Sequence, residues 1–154
     1  MIELLGALVL LLCQDALSVE DVIARIGSVA NDPGVPMPIE IRPGPGLRTA
    51  SLARYADTGL PYLLSIEPEL TSRPTVAALK RAFGDYHRVR NDRGKPIEIL
   101  FNPPIAAKSW KVVLIAEIFS HERDLESDTA ISVALRRDPV PSGASMKTQN
   151  KVTV

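Results

Sequence analysis

The 154-residue chain reads as an α+β protein, an antiparallel sheet of about five to six strands with two short helices on one face. Two segments, 18–27 and 72–84, each carry a cap residue, an apolar stripe of helical period and a terminal glycine. Four others, 38–43, 60–67, 96–101 and 108–120, have the length and the alternation or apolar density of strands. Proline- and glycine-rich stretches separate them, and a chain of this length supports one ordinary core.

The first element admits the most readings. Residues 4–13, LLGALVLLLC, are unbroken apolar sequence, about half of the ~20 residues a membrane-spanning helix needs, so no stable membrane span is expected. The run fits the apolar part of a signal peptide, about 7 to 15 residues. Against that, Glu3 precedes it, and Arg25 is the first basic residue. A cut after Ala16 would put Gln14 at the other small-residue position, and a cut after Asp15 is no better. Leu12 stands where a lipoprotein site before Cys13 wants Gly, Ala or Ser. An enclosed core helix is apolar all round in the same way. Residues 1–17 are therefore a signal peptide or a core helix, with an uncleaved interfacial anchor as a third option.

The helix at 18–27 opens at Ser18, puts Glu20 and Asp21 in the first turn where the helix dipole favours anions, and stops at Gly27. Val19, Val22, Ile23 and Ile26 form its apolar face. This self-contained start lets the folded domain begin at Ser18, which favours export. Residues 28–38 read as a loop turned by Asp32, Pro33 and Gly34. In 38–43, Ile39 and Ile41 point inward and Glu40 and Arg42 outward. Residues 48–57 read as a short helix ended by Gly59, although their alternation also suits a strand. The segment 60–67 is a buried strand. In the second helix Ser72 lies near the cap, Pro74 in the first turn and Gly84 at the stop, with Val76, Leu79 and Phe83 on one face. Residues 85–91 are an edge strand, NDRGK at 91–95 a hairpin turn, and 96–101 the returning strand. In 108–120, Trp110, Val112, Leu114, Ala116 and Ile118 share a face. Residues 128–138 add a strand or a short helix, and 139–154 have the composition of a disordered tail. The folded domain thus covers 18–138. Pro-Ile-Glu-Ile recurs at 38–41 and 96–99 after a capped helix, so two pseudo-repeated αββ units are an open alternative to coincidence.

Charge excludes one class of partner. Eighteen basic residues balance eighteen acidic ones, leaving no global field to draw the chain to nucleic acid. A single cysteine, Cys13, allows no intramolecular disulfide and no CxxC metal site. His121-Glu122 is a fragment of HExxH with Leu125 where the second histidine belongs, so no zinc is implied. Asp124, Glu126 and Asp128 alternate like the start of a calcium loop, but Thr129 replaces its glycine and Leu135 its bidentate glutamate. The glycines and Arg48 of 42–49 lack the spacing of a phosphate loop. No cofactor is indicated.

Two residues remain as candidates for catalysis. His87, near Asp85, is a general base if a carboxylate orients it. Asp57-Thr58-Gly59 resembles the active-site triplet of aspartic proteases, a resemblance that implies water activation by Asp57. Tyr55 and Ala56 before it and Leu60 after it depart from that family's pattern, and no later segment completes it. Charge is segregated along the chain: Lys80, Arg81, Arg88, Arg90, Arg93 and Lys95 make one basic stretch, and Glu117 to Asp128 an acidic one. The function expected is a non-enzymatic binding or accessory protein, exported to a bacterial envelope or the extracellular space. It meets a protein partner or a second copy of itself through Arg88, Arg90, Arg93 and Lys95. The alternatives are a small hydrolase centred on Asp57 or His87, and a cytoplasmic regulator or inhibitor that pairs through the edge strand.

Overall fold

The computed structural model describes residues 1–89, 97–104, 109–119 and 124–141. Three helices lie on one face of a single antiparallel sheet. The helices are α1 (Ile2–Leu12), α2 (Val19–Ile26) and α3 (Val76–Phe83). The strands are β1 (Gly27–Asn31), β2 (Ile39–Pro43), β3 (Leu47–Arg54) and β4 (Pro61–Pro68), then β5 (Tyr86–Arg88), β6 (Ile97–Phe101), β7 (Trp110–Ile118) and β8 (Ser132–Pro139). Their order is β1-β2-β3-β4-β8-β7-β6-β5. Each half of the chain is thus a helix followed by a four-stranded meander, and the halves meet where β4 pairs with β8. The sequence expectation of five to six strands and two helices is corrected to eight and three, and an αββ unit to a helix with four strands.

The extra strands are the ones with the least local signal. In β1, expected as loop, four of five residues are exposed, because it is an edge strand that gives the core no alternating face. β3 replaces the helix expected at 48–57: it pairs on both sides, with Ala50 and Leu52 inward and Thr49 and Ser51 outward. Residues 132–139 are strand, not helix, and β5 sits at the other sheet edge as expected. The turn at 91–95 and nearly all of the tail, from 142 onward, lie outside the described residues.

Register makes the core continuous. Ile39, Leu52, Leu64, Leu135, Leu114 and Phe101 stand side by side across six strands, with Ile41, Ala50, Ile66, Val133, Ala116 and Ile99 as the next row. All of them are buried under the helices. α2 begins with a reciprocal capping box: the Ser18 hydroxyl accepts from the Asp21 N–H at 3.1 Å, and the Asp21 carboxylate accepts from the Ser18 N–H at 3.2 Å. α3 is capped by Thr75, three residues beyond the expected Ser72, and its hydroxyl accepts from the Ala78 N–H at 3.1 Å. Gly27 is required by close approach, since a Cβ there would lie 1.9 Å from the Arg42 carbonyl oxygen. Gly84, at φ 89°, is required by conformation.

α1 packs against α2, α3 and β7, and Leu5, Leu8, Val9 and Leu12 have at most 1% of their surface exposed. Their spacing of three, four and seven residues is that of one helical face. Fully buried Arg137 on β8 fastens the helix end: Nε donates to the Leu12 carbonyl at 2.9 Å and Nη2 to the Gln14 carbonyl at 2.8 Å. A cation at a helix C-terminus is favoured by the dipole. Its guanidinium lies 3.7 Å from the centroid of the Trp110 ring, and burial presses its pKa downward. Tyr55 stacks near Trp110 and donates its hydroxyl to the Arg137 carbonyl. No helix among the described residues is long and apolar enough to cross a membrane.

Candidate functional site

The side of the sheet away from the helices is uncovered. Alternation puts a second set of residues there, and register again sets their neighbours. One row runs His87, Leu100, Ile115, Ala134, Ser65, Ser51 and Glu40 from β5 to β2. Beside it lie Glu98, Glu117 and Ser132 on β6, β7 and β8, and the Thr49–Glu67 pair on β3 and β4. Where the two rows cross β3, β4 and β8 the side chains, Glu67 apart, are short, and a trough of about 480 Å³ bounded by β2 and β7 results. Its floor is Ser51, Ser65, Ser132 and Ala134 with Thr49, and its carboxylates are Glu40, Glu67 and Glu117. A second hollow of about 270 Å³ continues from it, sharing Glu67, Glu117 and Ser132 and adding Arg73 and the half-exposed ring of Phe119.

The electrostatics of this face run against sheet stability. Glu98 and Glu117 are direct cross-strand partners, and like charges so placed are destabilising. Among the described residues the ion pairs are Arg54–Asp32, Lys80–Glu126 and Arg136–Asp138, and none engages a glutamate of the trough. Arg136, on the same face, is taken up by Asp138 through Nε at 3.0 Å and Nη2 at 3.1 Å. Arg73 borders Glu67 and Glu117, and its Nε is buried with no hydrogen-bond partner among the described residues.

The residues singled out in the sequence do not converge. Asp57 is exposed in the turn between β3 and β4, and Gly59 adopts φ 71° there. His87 is exposed on edge strand β5, four strands away in sheet order from the β4 end of that turn. Arg88 neighbours it with its side chain exposed, while Arg90, Arg93 and Lys95 lie outside the described residues, as does His121. The expected segregation of charge is partly cancelled, because the basic and acidic stretches meet: Lys80 Nζ lies 2.9 Å from Glu126 Oε1, which raises the lysine pKa. Asp124, read beside a calcium loop, accepts from the Glu126 N–H and closes a single 3-10 turn at 125–127. No group of three metal-ligating side chains occurs among the described residues.

The trough was invisible in the sequence because its residues come from five strands and meet only through register. The available signal was the outward position of Glu40 in an alternating strand. No family model, no curated protein and no solved structure matches the chain.

Proposed function

We propose that the chain is a non-enzymatic binding or accessory protein that receives a protein partner on the uncovered face of its sheet. The observation that carries this reading is the trough, a hollow floored by hydroxyls and flanked by carboxylates that no ion pair among the described residues neutralises. An eight-stranded sheet with its helices on one face leaves the other extended and uncovered, and a row of small residues lets a partner's backbone approach closely. A hydrolase built on Asp57 or His87 has less support, since neither residue lines the trough.

A photo-crosslinking side chain at Ser65, compared with one at Glu20 on the helical side, tests this in the producing cell. A discrete product from position 65 alone is expected. Products from position 20 alone, or from neither position, overturn the reading.

The deep burial of α1 and its fastening by Arg137 support a form in which residues 1–17 stay with the domain. Removal would strip the cover from β7 and leave Arg137 without its two carbonyls. An intact mass of the purified protein that includes these residues is the expected result, and a mass short by about 13 to 17 residues argues for export by a cleaved signal. The two halves are read as copies of one helix-plus-four-strand unit. In support, the caps Ser18 and Thr75, the stops Gly27 and Gly84, and the two Pro-Ile-Glu-Ile runs all recur about 57 residues apart.

A further inference from the structure

Deepening the reading of the open face as the binding surface, we infer that the trough takes an extended segment of a protein partner with a lysine or arginine at every third residue. Glu40, Glu67 and Glu117 stand on β2, β4 and β7, and the sheet order places one intervening strand between each pair, β3 in the first case and β8 in the second. Neighbouring strands are about 4.8 Å apart, so Glu67 and Glu117, which share a row with Ser132 between them, stand roughly 9.6 Å apart across the sheet, while Glu40 lies in the adjacent row opposite Ser51. A polyproline-II chain has three residues per turn and rises about 3.1 Å per residue, so its every third side chain recurs at about 9.3 Å on one side. The two periods match between Glu67 and Glu117, and a guest of about six residues, about 19 Å, reaches from β7 to β2, where Glu40 flanks it from the adjacent row.

The intervening strands suit such a guest. β3 and β8 present Thr49, Ser51 and Ser132, hydroxyls that donate to the carbonyls of a polyproline-II chain, which makes no internal hydrogen bonds. Three carboxylates face one guanidinium, that of Arg73, which closes the β7 end beside Phe119. The Glu98–Glu117 opposition, unfavourable in the free chain, is relieved when a cation settles between them. A residue arrangement that costs stability without any gain to the fold is expected at a functional surface.

The test titrates the isotope-labelled full chain with a peptide of sequence Lys-Pro-Pro repeated three times, followed by amide resonances. Two controls are a peptide of the same composition with its lysines adjacent and one with glutamate in place of lysine. Perturbations centred on Ser51, Ser65, Ser132 and Ala134 are expected, with affinity falling as salt rises. The Glu67→Gln variant should bind at least fivefold more weakly, the Glu67→Gln/Glu117→Gln double variant more weakly still, and the adjacent-lysine peptide several-fold more weakly than the spaced one. Both glutamates of the test, Glu67 and Glu117, lie at the surface or half-exposed, so the double variant is expected to remain folded. Equal binding of the two lysine peptides overturns the spacing, and undiminished binding to the double variant overturns the charge. If the glutamate peptide occupies the trough instead, the cationic partner is excluded while the open face stands as a binding surface. If the lysine peptide perturbs only residues outside the trough, the proposed function falls with it.

Discussion

The two faces of one sheet were built by opposite rules. On the helical face, register aligns large apolar residues into rows that cross six strands, and every member is buried. On the open face, the same register aligns serines and an alanine into a hollow and sets Glu98 against Glu117. The first face serves stability, and the second sets like charges side by side at its expense. Function is sought where the fold's own needs do not explain the residues present.

Adjacent residues of β7 give the sharpest contrast. Leu114 points to the helices and is fully buried, whereas Ile115 points to the open face and is half-buried. Leu114→Ala is expected to cost about 2 to 5 kcal/mol in urea unfolding, the range for a large-to-small core change. Ile115→Ala should cost less than half as much, and equal losses would mean that the open face is covered in solution.

A somewhat smaller loss is expected at the end of the helical layer. Arg137→Met keeps the volume of the side chain but removes the donors to Leu12 and Gln14. A loss of about 1 to 3 kcal/mol is expected, chiefly the cost of the buried Leu12 carbonyl left unpaired. Hydrogen exchange should rise selectively in α1, and a uniform rise across the sheet would show that Arg137 serves the whole core instead.

On the open face the sign reverses. Glu117→Gln removes the cross-strand repulsion and should stabilise the free chain by about 0.2 to 1 kcal/mol. A destabilisation would mean that Glu117 serves the fold, and the contrast between the two faces would narrow.

The smallest effect is a pH dependence at the sheet rim, outside both faces. Arg54 donates to Asp32 through Nη2 at 2.8 Å and Nη1 at 3.2 Å, and these bonds, aided by the Gly34 N–H, hold the Asp32 carboxyl below its ordinary value. The unfolded chain therefore binds this proton more readily. The contribution is present above the ordinary aspartate range, about pH 4, and is lost as pH falls through the lower folded value. Asp32→Asn should flatten the acid limb of the stability curve and leave the neutral limb parallel to the parent. An unchanged acid limb would assign it to other carboxylates.

Legibility followed locality. α2 and α3 were readable because a cap, a stripe of three- and four-residue spacing and a terminal glycine all lie within ten or so residues of one another. The inward face of β7, Trp110 to Ile118, was readable because alternation survives wherever one side of a strand is buried. β1 had no such side: at the sheet edge its exposed residues carry no alternation. β3 mixed Arg48, Thr49, Ser51 and Arg54 with alanines, a composition that suits a helix, and only pairing with β2 and β4 makes it a strand. Asp57 and His87 drew notice as chemical types, but the fold leaves them at separate places on the rim.

The sequence alone determined the Ser18 cap and the Gly27 and Gly84 stops of the two short helices, which faces of the strongest strands point inward, and that the chain is α+β. Those decisions depend on interactions between residues a few positions apart. Tertiary structure decided that an apolar run at 4–13 becomes a helix locked under Arg137, more than a hundred residues away, and that eight strands share one sheet. It also decided that glutamates from β2, β4, β6 and β7 share one face with a floor of serines. Neighbours across a sheet are fixed by strand order and register, and neither is written in any single stretch of the chain.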